Sequence, residues 1–217
     1  MKNKSLLMTI AILFIAMNSH AQVTDKNGNT YKTVKIRTQE WMAENLYVSH
    51  FRNGDLIPEA KTTEEWQKAA NEGKPVWCYY NSDPANANKY GKLYNWFVFN
   101  DPRGLAPYGW HVPSTLEWAA LTDYLGGEDA AGGKMKATNG WDDNGNGTNE
   151  SGFAGLPGGY RTNDGSFKYI GMFGYWWSSS ESSITDAWYR VLNDGDGSIN
   201  GGDDGKGDGL SVRCIKN

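Results

Sequence analysis

Cysteine, histidine and surplus basic charge are all scarce in this chain of 217 residues. It contains 2 Cys and 3 His, and its 21 Lys and Arg stand against 25 Asp and Glu, for a formal net charge of −4. Without a basic stripe we expect no nucleic-acid partner. A second long apolar run is also absent after Leu6 to Met17, and that run is shorter than the roughly 20 apolar residues that span a bilayer. We therefore expect no membrane span in the mature protein.

The first 21 residues have the pattern of a secretory signal peptide. Lys2 and Lys4 precede the apolar run, and Ser19 and Ala21 are small residues at the two positions that a signal peptidase reads. No cysteine directly follows the apolar run near the predicted cleavage site, so we expect no lipid anchor. The sequence predicts a signal peptide over 1–21, a single mature domain over 22–217, and an extracytoplasmic protein that is secreted, periplasmic or at the cell surface.

Motifs for catalysis are missing too. The chain has no nucleophile elbow, no paired-histidine zinc motif and no phosphate-cradling glycine loop. The hydroxyl-rich run Ser178 to Ser183 has no identified base. A glycosidase pair of Glu117 with Asp123 would use a glutamate that already has a capping role. We expect a protein without catalytic residues.

The clearest local signal is the block from Gly109 to Gly127, which predicts a helix. Ser114 is a good N-cap, and Glu117 three residues later completes a capping box. Two glycines end the block and supply a left-handed stop. Apolar residues recur at three- to four-residue spacing and predict one buried stripe of Trp118, Leu121 and Leu125.

The other elements predict an α+β fold. We expect strands over Thr30 to Ile36 and Glu40 to Leu46, and a helix over Thr63 to Asn71 with a capping box from Thr62 and Glu65. Pro75 to Asn81 is a strand candidate. After the principal helix the chain is mostly Gly-, Asn- and Asp-rich loop with short aromatic strands.

Both cysteines lie on apolar faces of predicted strands. Cys214 alternates with Leu210 and Val212 in the last strand, and Cys78 shares a face with Val76. Two cysteines in an exported protein suggest one bridge, so we expect a disulfide between Cys78 and Cys214. The alternative is two separate buried thiols.

Adjacent aromatic residues in the last third predict a recognition surface. In a strand, neighbours point to opposite faces, so Trp176-Trp177 and Trp188-Tyr189 each place one ring on either side. We expect Trp176 or Trp177 to be exposed. Exposed aromatic rings, hydroxyls and carboxylates together suit sugars or polar protein ligands. The predicted ligand-binding residues are Trp176, Trp177, Ser179, Glu181, Asp194 and Asp196.

A stretch of acids and amides resembles the opening of a calcium loop. Oxygen-bearing side chains at alternate positions precede and follow Gly147, the sixth residue. The twelfth position is Phe153, so this is not an EF-hand. Asp194 to Asp208 is acidic enough to bind a cation weakly. The alternative for the first stretch is an Asn/Gly turn cluster. The predicted calcium ligands are Asp142, Asn144, Asn146, Thr148 and Glu150.

The order of many motifs resembles the Fibrobacter succinogenes major paralogous domain family. These motifs include QEWMAENL, WCYYN, YGKLYNW, GLAPYGWHVPSTLEW, NESGFAGLPGGYR, GYWWSSSES and LSVRCIKN. The helix entry VPSTLEW and the terminal VRC are distantly similar to the formylglycine-generating sulfatase-modifying enzymes. The resemblance implies a C-type lectin-like fold with small twisted antiparallel sheets, two helices and long irregular loops.

Departures from these relatives bear on function. The active-site cysteine pair of the formylglycine-generating enzymes is missing, and so are the three histidines of iron-dependent relatives. Where relatives tend to have a strand, Asn193 to Gly209 holds seven Gly and five Asp, so we expect a mobile loop there. The resemblance implies an exported non-catalytic binding or adhesion domain, whose ligand is a glycan or a cell-surface protein. Alternatives are a degenerate or novel enzyme and a structural component of a surface assembly.

Overall fold

The computed structural model describes residues 21–217, so residues 1–20 of the predicted signal peptide lie outside the described chain. Within the described residues, short strands make up most of the regular structure. In chain order they are β1 (Gln22–Thr24), β2 (Thr30–Ile36), β3 (Gln39–Met42), β4 (Trp77–Cys78), β5 (Leu93–Asn95), β6 (Trp110–His111), β7 (Gly158–Arg161), β8 (Phe167–Ile170), β9 (Phe173–Glu181), β10 (Asp186–Asn193), β11 (Asn200–Gly205), β12 (Gly209–Leu210) and β13 (Ile215–Lys216).

Helices lie mainly in the first two thirds of the chain. Short 3₁₀ turns span Tyr80–Ser82, Pro84–Asn86 and Trp96–Val98. The α-helices of the described chain are α1 (Thr63–Glu72), α2 (Ala87–Tyr90), α3 (Thr115–Tyr124) and α4 (Glu128–Met135). None of the helices in this range is long and apolar enough to cross a membrane.

The strands form two sheets that are almost wholly antiparallel. One sheet has the order β1-β2-β3-β13-β6, so the last strand lies beside strands from the start of the chain. The other has the order β11-β10-β9-β7-β12-β5-β4, with β8 paired to β7. A parallel contact joins β7 to β9 through Gly159 and Gly174. The prediction of an α+β fold is confirmed at this level.

Both predicted capping boxes are confirmed. Ser114 and Glu117 satisfy each other's backbone amides at the start of α3, and Thr62 and Glu65 do the same for α1. The predicted stripe of α3 is buried. Glycines with positive φ follow both of these helices, Gly73 after α1 and Gly126 and Gly127 after α3. Local side-chain chemistry therefore fixes both helix starts.

The later strands depart from prediction. Asn193 to Gly209 is not a free loop, because β11 pairs with β10 from Asp186 opposite Gly205 to Val191 opposite Asn200. Helix α4 was not predicted, since its sequence EDAAGGKM contains two glycines and reads as loop. Tertiary packing supplies what propensity lacks. Gly132 fits against the Ser198 carbonyl, where an added Cβ would lie 2.0 Å from that oxygen.

Three clusters of buried side chains form the core. The central cluster lies between the sheets and includes Trp77, Tyr94, Trp177 and Cys214. A second lies under α3 and α4 and contains Trp118 and Trp176, while a third lies under α1 around Trp66 and Cys78. Each of the two large helices is thus anchored through a buried tryptophan.

Candidate functional site

The prediction that Trp176 or Trp177 is exposed is wrong. Their exposed fractions are 1% and 0%. Trp176 packs under the helices and donates its Nε1–H to Asn45 Oδ1 at 2.9 Å, while Trp177 enters the central core and donates to the Tyr94 carbonyl at 2.9 Å. Strand alternation does place them on opposite faces. Both faces of β9 are covered at this point, so neither ring is free to stack on a ligand.

The polar residues predicted beside these rings do not meet. Glu181 lies opposite Ala187 at one end of the β9–β10 ladder, where its carboxylate is 3.2 Å from Lys206 Nζ. Asp194 and Asp196 follow the other end, where Phe173 faces Asn193. Ser179 donates its backbone N–H to the Pro113 carbonyl at 2.9 Å. The predicted recognition face is therefore divided between two ends of the sheet.

Four of the predicted calcium ligands lie together, beside Asp194 and Asp196 of the loop between β10 and β11. Lys136 reaches into the same place and donates from Nζ to the carbonyls of Asn193 and Asp196, at 2.9 and 2.7 Å. Asn146 Oδ1 accepts the backbone N–H of Trp141. The shared cavity of about 470 Å³ is lined by Asn144, Asn146, Thr148, Glu150, Asp194, Asp196 and Lys136.

The ammonium group of Lys136 thus lies between the loop at residues 142–150 and the loop at residues 194–197. Asp142 is not part of this cavity, and its backbone N–H donates to the Gly171 carbonyl. Residues 21–217 contain no group of three or more His, Cys, Asp or Glu side chains placed to hold a metal ion. The geometry favours the alternative of a hydrogen-bonded turn cluster, and calcium binding stays a prediction.

Cys78 and Cys214 are not bonded to each other, contrary to the expected disulfide. Each thiol is buried in a different cluster of the core, Cys214 between the sheets and Cys78 under α1. Burial raises the pKa of both thiols to about 12. The structure favours the alternative of two separate buried thiols, which act as small apolar side chains.

A contiguous aromatic surface lies on the face of the second sheet that carries Tyr175. Five rings form it: Tyr160, Tyr169, Phe173, Tyr175 and Tyr189, called here the tyrosine surface. Tyr175 is at its centre, with ring centroids 4.8 Å from Tyr160, 5.8 Å from Phe173 and 5.6 Å from Tyr189. Tyr169 closes the group, at 5.1 Å from Phe173 and 6.0 Å from Tyr160. Tyr169 is 44% exposed and the other four rings are half-buried.

Strand geometry explains how these rings meet. Phe173 and Tyr175 are two residues apart in β9 and therefore point the same way. Tyr189 joins them from β10, where Trp188 points to the opposite face as the sequence predicted. Gly202 of β11 lies beneath the Tyr189 ring, because an added Cβ would be 2.7 Å from its hydroxyl oxygen. The alternation of Phe173 and Tyr175 around Gly174 was the sequence signal for this surface. The sequence alone did not show how β7, β8 and β11 are positioned beside these rings.

The hydroxyl groups of this surface have no hydrogen-bond partner within the described part of the chain. None of the phenols of Tyr160, Tyr169, Tyr175 and Tyr189 makes a hydrogen bond to another part of residues 21–217. Burial raises the pKa of Tyr160 to about 12, with a further contribution from nearby Asp204 and Asp208. Burial also raises the pKa of Tyr175 and Tyr189. The phenols of Tyr160, Tyr175 and Tyr189 therefore stay neutral, and their hydroxyls remain free to donate and accept hydrogen bonds.

A pair of carboxyl groups borders the tyrosine surface. Asp208 is buried beside Asp204, and burial together with that neighbour raises the pKa of Asp208 to about 8. Its carboxyl oxygen also accepts the backbone N–H of Asn163. Asp208 consequently holds a proton near neutral pH. The proton of the buried Asp208 is shared with Asp204, and the half-buried Asp204 carboxyl group can accept a hydrogen bond from a polar ligand at this border.

Comparison with known proteins identifies one family. The model of the Fibrobacter succinogenes major domain matches residues 34–216. The match runs from β2 to β13 and includes the tyrosine surface and both buried cysteines. No curated protein and no solved structure matches the chain.

Proposed function

Since the chain belongs to the Fibrobacter succinogenes major domain family, we propose that this domain is an exported, non-catalytic binding module that holds a glycan on its tyrosine surface. The observation that carries the proposal is a contiguous group of five partly exposed rings whose four hydroxyls have no partner within the described chain. Aromatic faces stack on the C–H faces of sugar rings, and unpaired hydroxyls meet sugar hydroxyls.

Neutral sugars match this surface better than an apolar partner. A purely apolar interface would leave the phenols without hydrogen bonds, which is costly on burial. A sugar satisfies them, since each hydroxyl both donates and accepts.

The absence of catalysis is part of the proposal. The carboxyl groups of Asp204 and Asp208 are hydrogen-bond neighbours, whereas glycoside hydrolysis needs two carboxyl groups about 5 Å or more apart around the bond. A C-type lectin-like fold and an extracytoplasmic location belong to the same proposal. They are supported by the resemblance of the motifs and by the leader-like sequence of residues 1–21.

Binding to a panel of soluble glycans and surface proteins tests the proposal, with and without calcium. We expect a glycan to bind, and Tyr175→Ala and Tyr169→Ala each to weaken the complex about tenfold or more, as for a central aromatic contact. Tyr108→Ala is the matched control, because Tyr108 is 79% exposed and is not part of the tyrosine surface. Isothermal titration gives the dissociation constants.

The outcome can contradict the proposal in two ways. If Tyr108→Ala weakens glycan binding as much as Tyr175→Ala, the tyrosine surface is not the site. If the panel returns only a protein that needs Tyr175, the surface is an adhesion site for proteins and the glycan assignment is wrong.

A further inference from the structure

A second concave region lies between the β2–β3 hairpin, the short helical segment at residues 85–91 and the loop at residues 137–156. Its volume is about 760 Å³, which is in the range of small-molecule sites. Apolar wall comes from Val34 and Leu156, and amide side chains come from Asn88 and Asn139. We call this region the hairpin cavity. It shares no residue with the tyrosine surface.

A buried cation lies in the wall of the hairpin cavity. The Arg213 side chain is 1% exposed, and four of its N–H groups donate to neutral oxygens of the protein. Nη1 donates to the carbonyls of Met42 and Phe153, which are not part of the cavity wall. Nε donates to Asn45 and Nη2 donates to Ala154, and both of these residues line the cavity. The Nη2 edge therefore faces the cavity.

One hydrogen of this guanidinium group remains without a partner in residues 21–217, because arginine has five N–H donors and four are used. Phe153 covers the other side, with its ring 4.3 Å from Cζ. No carboxylate of the described residues pairs with Arg213. Burial lowers the pKa of Arg213 to about 9, and the charge of nearby Glu44 opposes this shift.

The charge around the hairpin cavity is opposite to that of the whole chain. Lys32 and Lys89 line it together with Arg213, and Glu44 is its acidic residue. Neither lysine forms an ion pair within residues 21–217. The wall thus carries a surplus of two positive charges in a chain whose net charge is −4. A concave positive region concentrates anions.

We propose that the hairpin cavity binds an organic carboxylate of saccharide size, a uronic acid, with its carboxylate towards Arg213 and the two lysines. One carboxylate oxygen can accept the remaining Nη2 hydrogen of Arg213, and the lysine ammonium groups can pair with the rest of the charge. Asn88 and Asn139 are exposed amides that can meet sugar hydroxyls, and Val34 and Leu156 offer apolar contact. The proposal does not depend on the tyrosine surface.

Titration of the full chain with sodium glucuronate tests this site, with glucose and inorganic phosphate at equal ionic strength beside it. We expect glucuronate to bind and glucose not to. Lys89→Ala and Lys32→Ala should each weaken glucuronate binding about fivefold, the effect of losing one partly exposed charge contact. Glu44→Gln should strengthen binding, because it removes the acid at the cavity wall.

Lys35→Ala is the matched control, since Lys35 is an exposed lysine of the same strand that does not line the cavity. An equal loss in Lys35→Ala and Lys32→Ala would overturn the site, as would the absence of glucuronate binding. Phosphate binding as tight as glucuronate would overturn the assignment to a carboxylate. Tyr175→Ala should leave glucuronate binding unchanged, which separates this site from the proposed glycan surface.

Discussion

Two buried arginines, Arg161 and Arg213, hold different halves of the molecule by the same chemistry. Arg161 donates to the carbonyls of Ala60, Thr62 and Gly165 and so ties the entry of α1 to the β7–β8 hairpin. Arg213 ties the β2–β3 hairpin to the loop at residues 153–154. Both side chains are 1% exposed, and neither pairs with a carboxylate in the described chain.

Their surroundings separate the two. Arg161 lies between two rings, with Cζ 4.8 Å from the Trp66 ring and 4.6 Å from that of Phe167, and it lines neither of the two cavities described above. Arg213 has one ring beside it and opens at Nη2 to the hairpin cavity. Arg161 is therefore a structural link alone, whereas Arg213 combines that role with one N–H, without a partner in residues 21–217, at the wall of the hairpin cavity.

Removal of Arg161 should have the largest effect on stability. Arg161→Met leaves three carbonyl acceptors without this donor, and we expect the free energy of unfolding to fall by about 3 kcal/mol. Glucuronate binding to the folded variant should be unchanged. Urea unfolding measures the loss, with Lys68→Met on the exposed side of α1 as control. A loss no larger than that of the control would show that Arg161 is not a structural link.

The Arg161 side also holds a buried carboxyl group, and its titration gives the next largest effect. Asp208 precedes Gly209, the strand partner of Arg161, and its pKa is raised from 3.8 to about 8. Between these values the folded chain keeps a proton that the unfolded chain has lost, so stability should fall as pH rises from about 4 to about 8. Asp208→Asn should flatten this slope and stabilise the domain at pH 8 by on the order of 2 kcal/mol.

Thermal unfolding from pH 4 to pH 9 measures the effect of Asp208→Asn. Asp203→Asn is the control, because Asp203 is an exposed aspartate of β11, next to Asp204. A slope that persists in Asp208→Asn would assign the pH dependence to other groups. Arg161 would then be the buried charged group that determines stability on its side of the molecule.

Lys136 is a third buried cation bound to carbonyls, and it should have the smallest effect. Lys136→Met removes hydrogen bonds to the carbonyls of Asn193 and Asp196, and we expect a loss of about 1–2 kcal/mol. Because this ammonium supplies positive charge between the two loops, a calcium chelator should not lower the melting temperature of the native chain. Lys134→Met is the control. A chelator-sensitive melting temperature would instead support a calcium site at Asn144 to Glu150.

Local elements could be predicted with good accuracy. Strand β2 has the predicted bounds, and α1 ends one residue later than expected. The sequence also predicts that Trp188 and Tyr189 point to opposite faces. It overestimates β3 and the strand at Pro75 to Asn81, where Asn81 and Ser82 adopt left-handed backbone conformations.

The candidate sites could not be predicted in the same way. Ser211 and Arg213 alternate with Leu210 and Val212, which suggested one covered face, yet all residues from Leu210 to Ile215 are buried. The last segment passes between both sheets through β12 and β13, so neither of its faces is free. Arg213 was thus missed as a site residue, and the exposure of the adjacent tryptophans was predicted wrongly for the same reason.

By itself, the sequence determined the helix starts, the α+β class and the family. Capping boxes and left-handed glycine stops act within about four residues, so these features need no tertiary information. Tertiary structure decided which rings are exposed, which thiols are separate and which cation faces a cavity. Those properties depend on contacts across the chain, such as Arg213 with Asn45 at a separation of 168 residues and Trp176 with Asn45 at 131. Burial is set by these long-range contacts, and a pattern of neighbouring residues does not encode them.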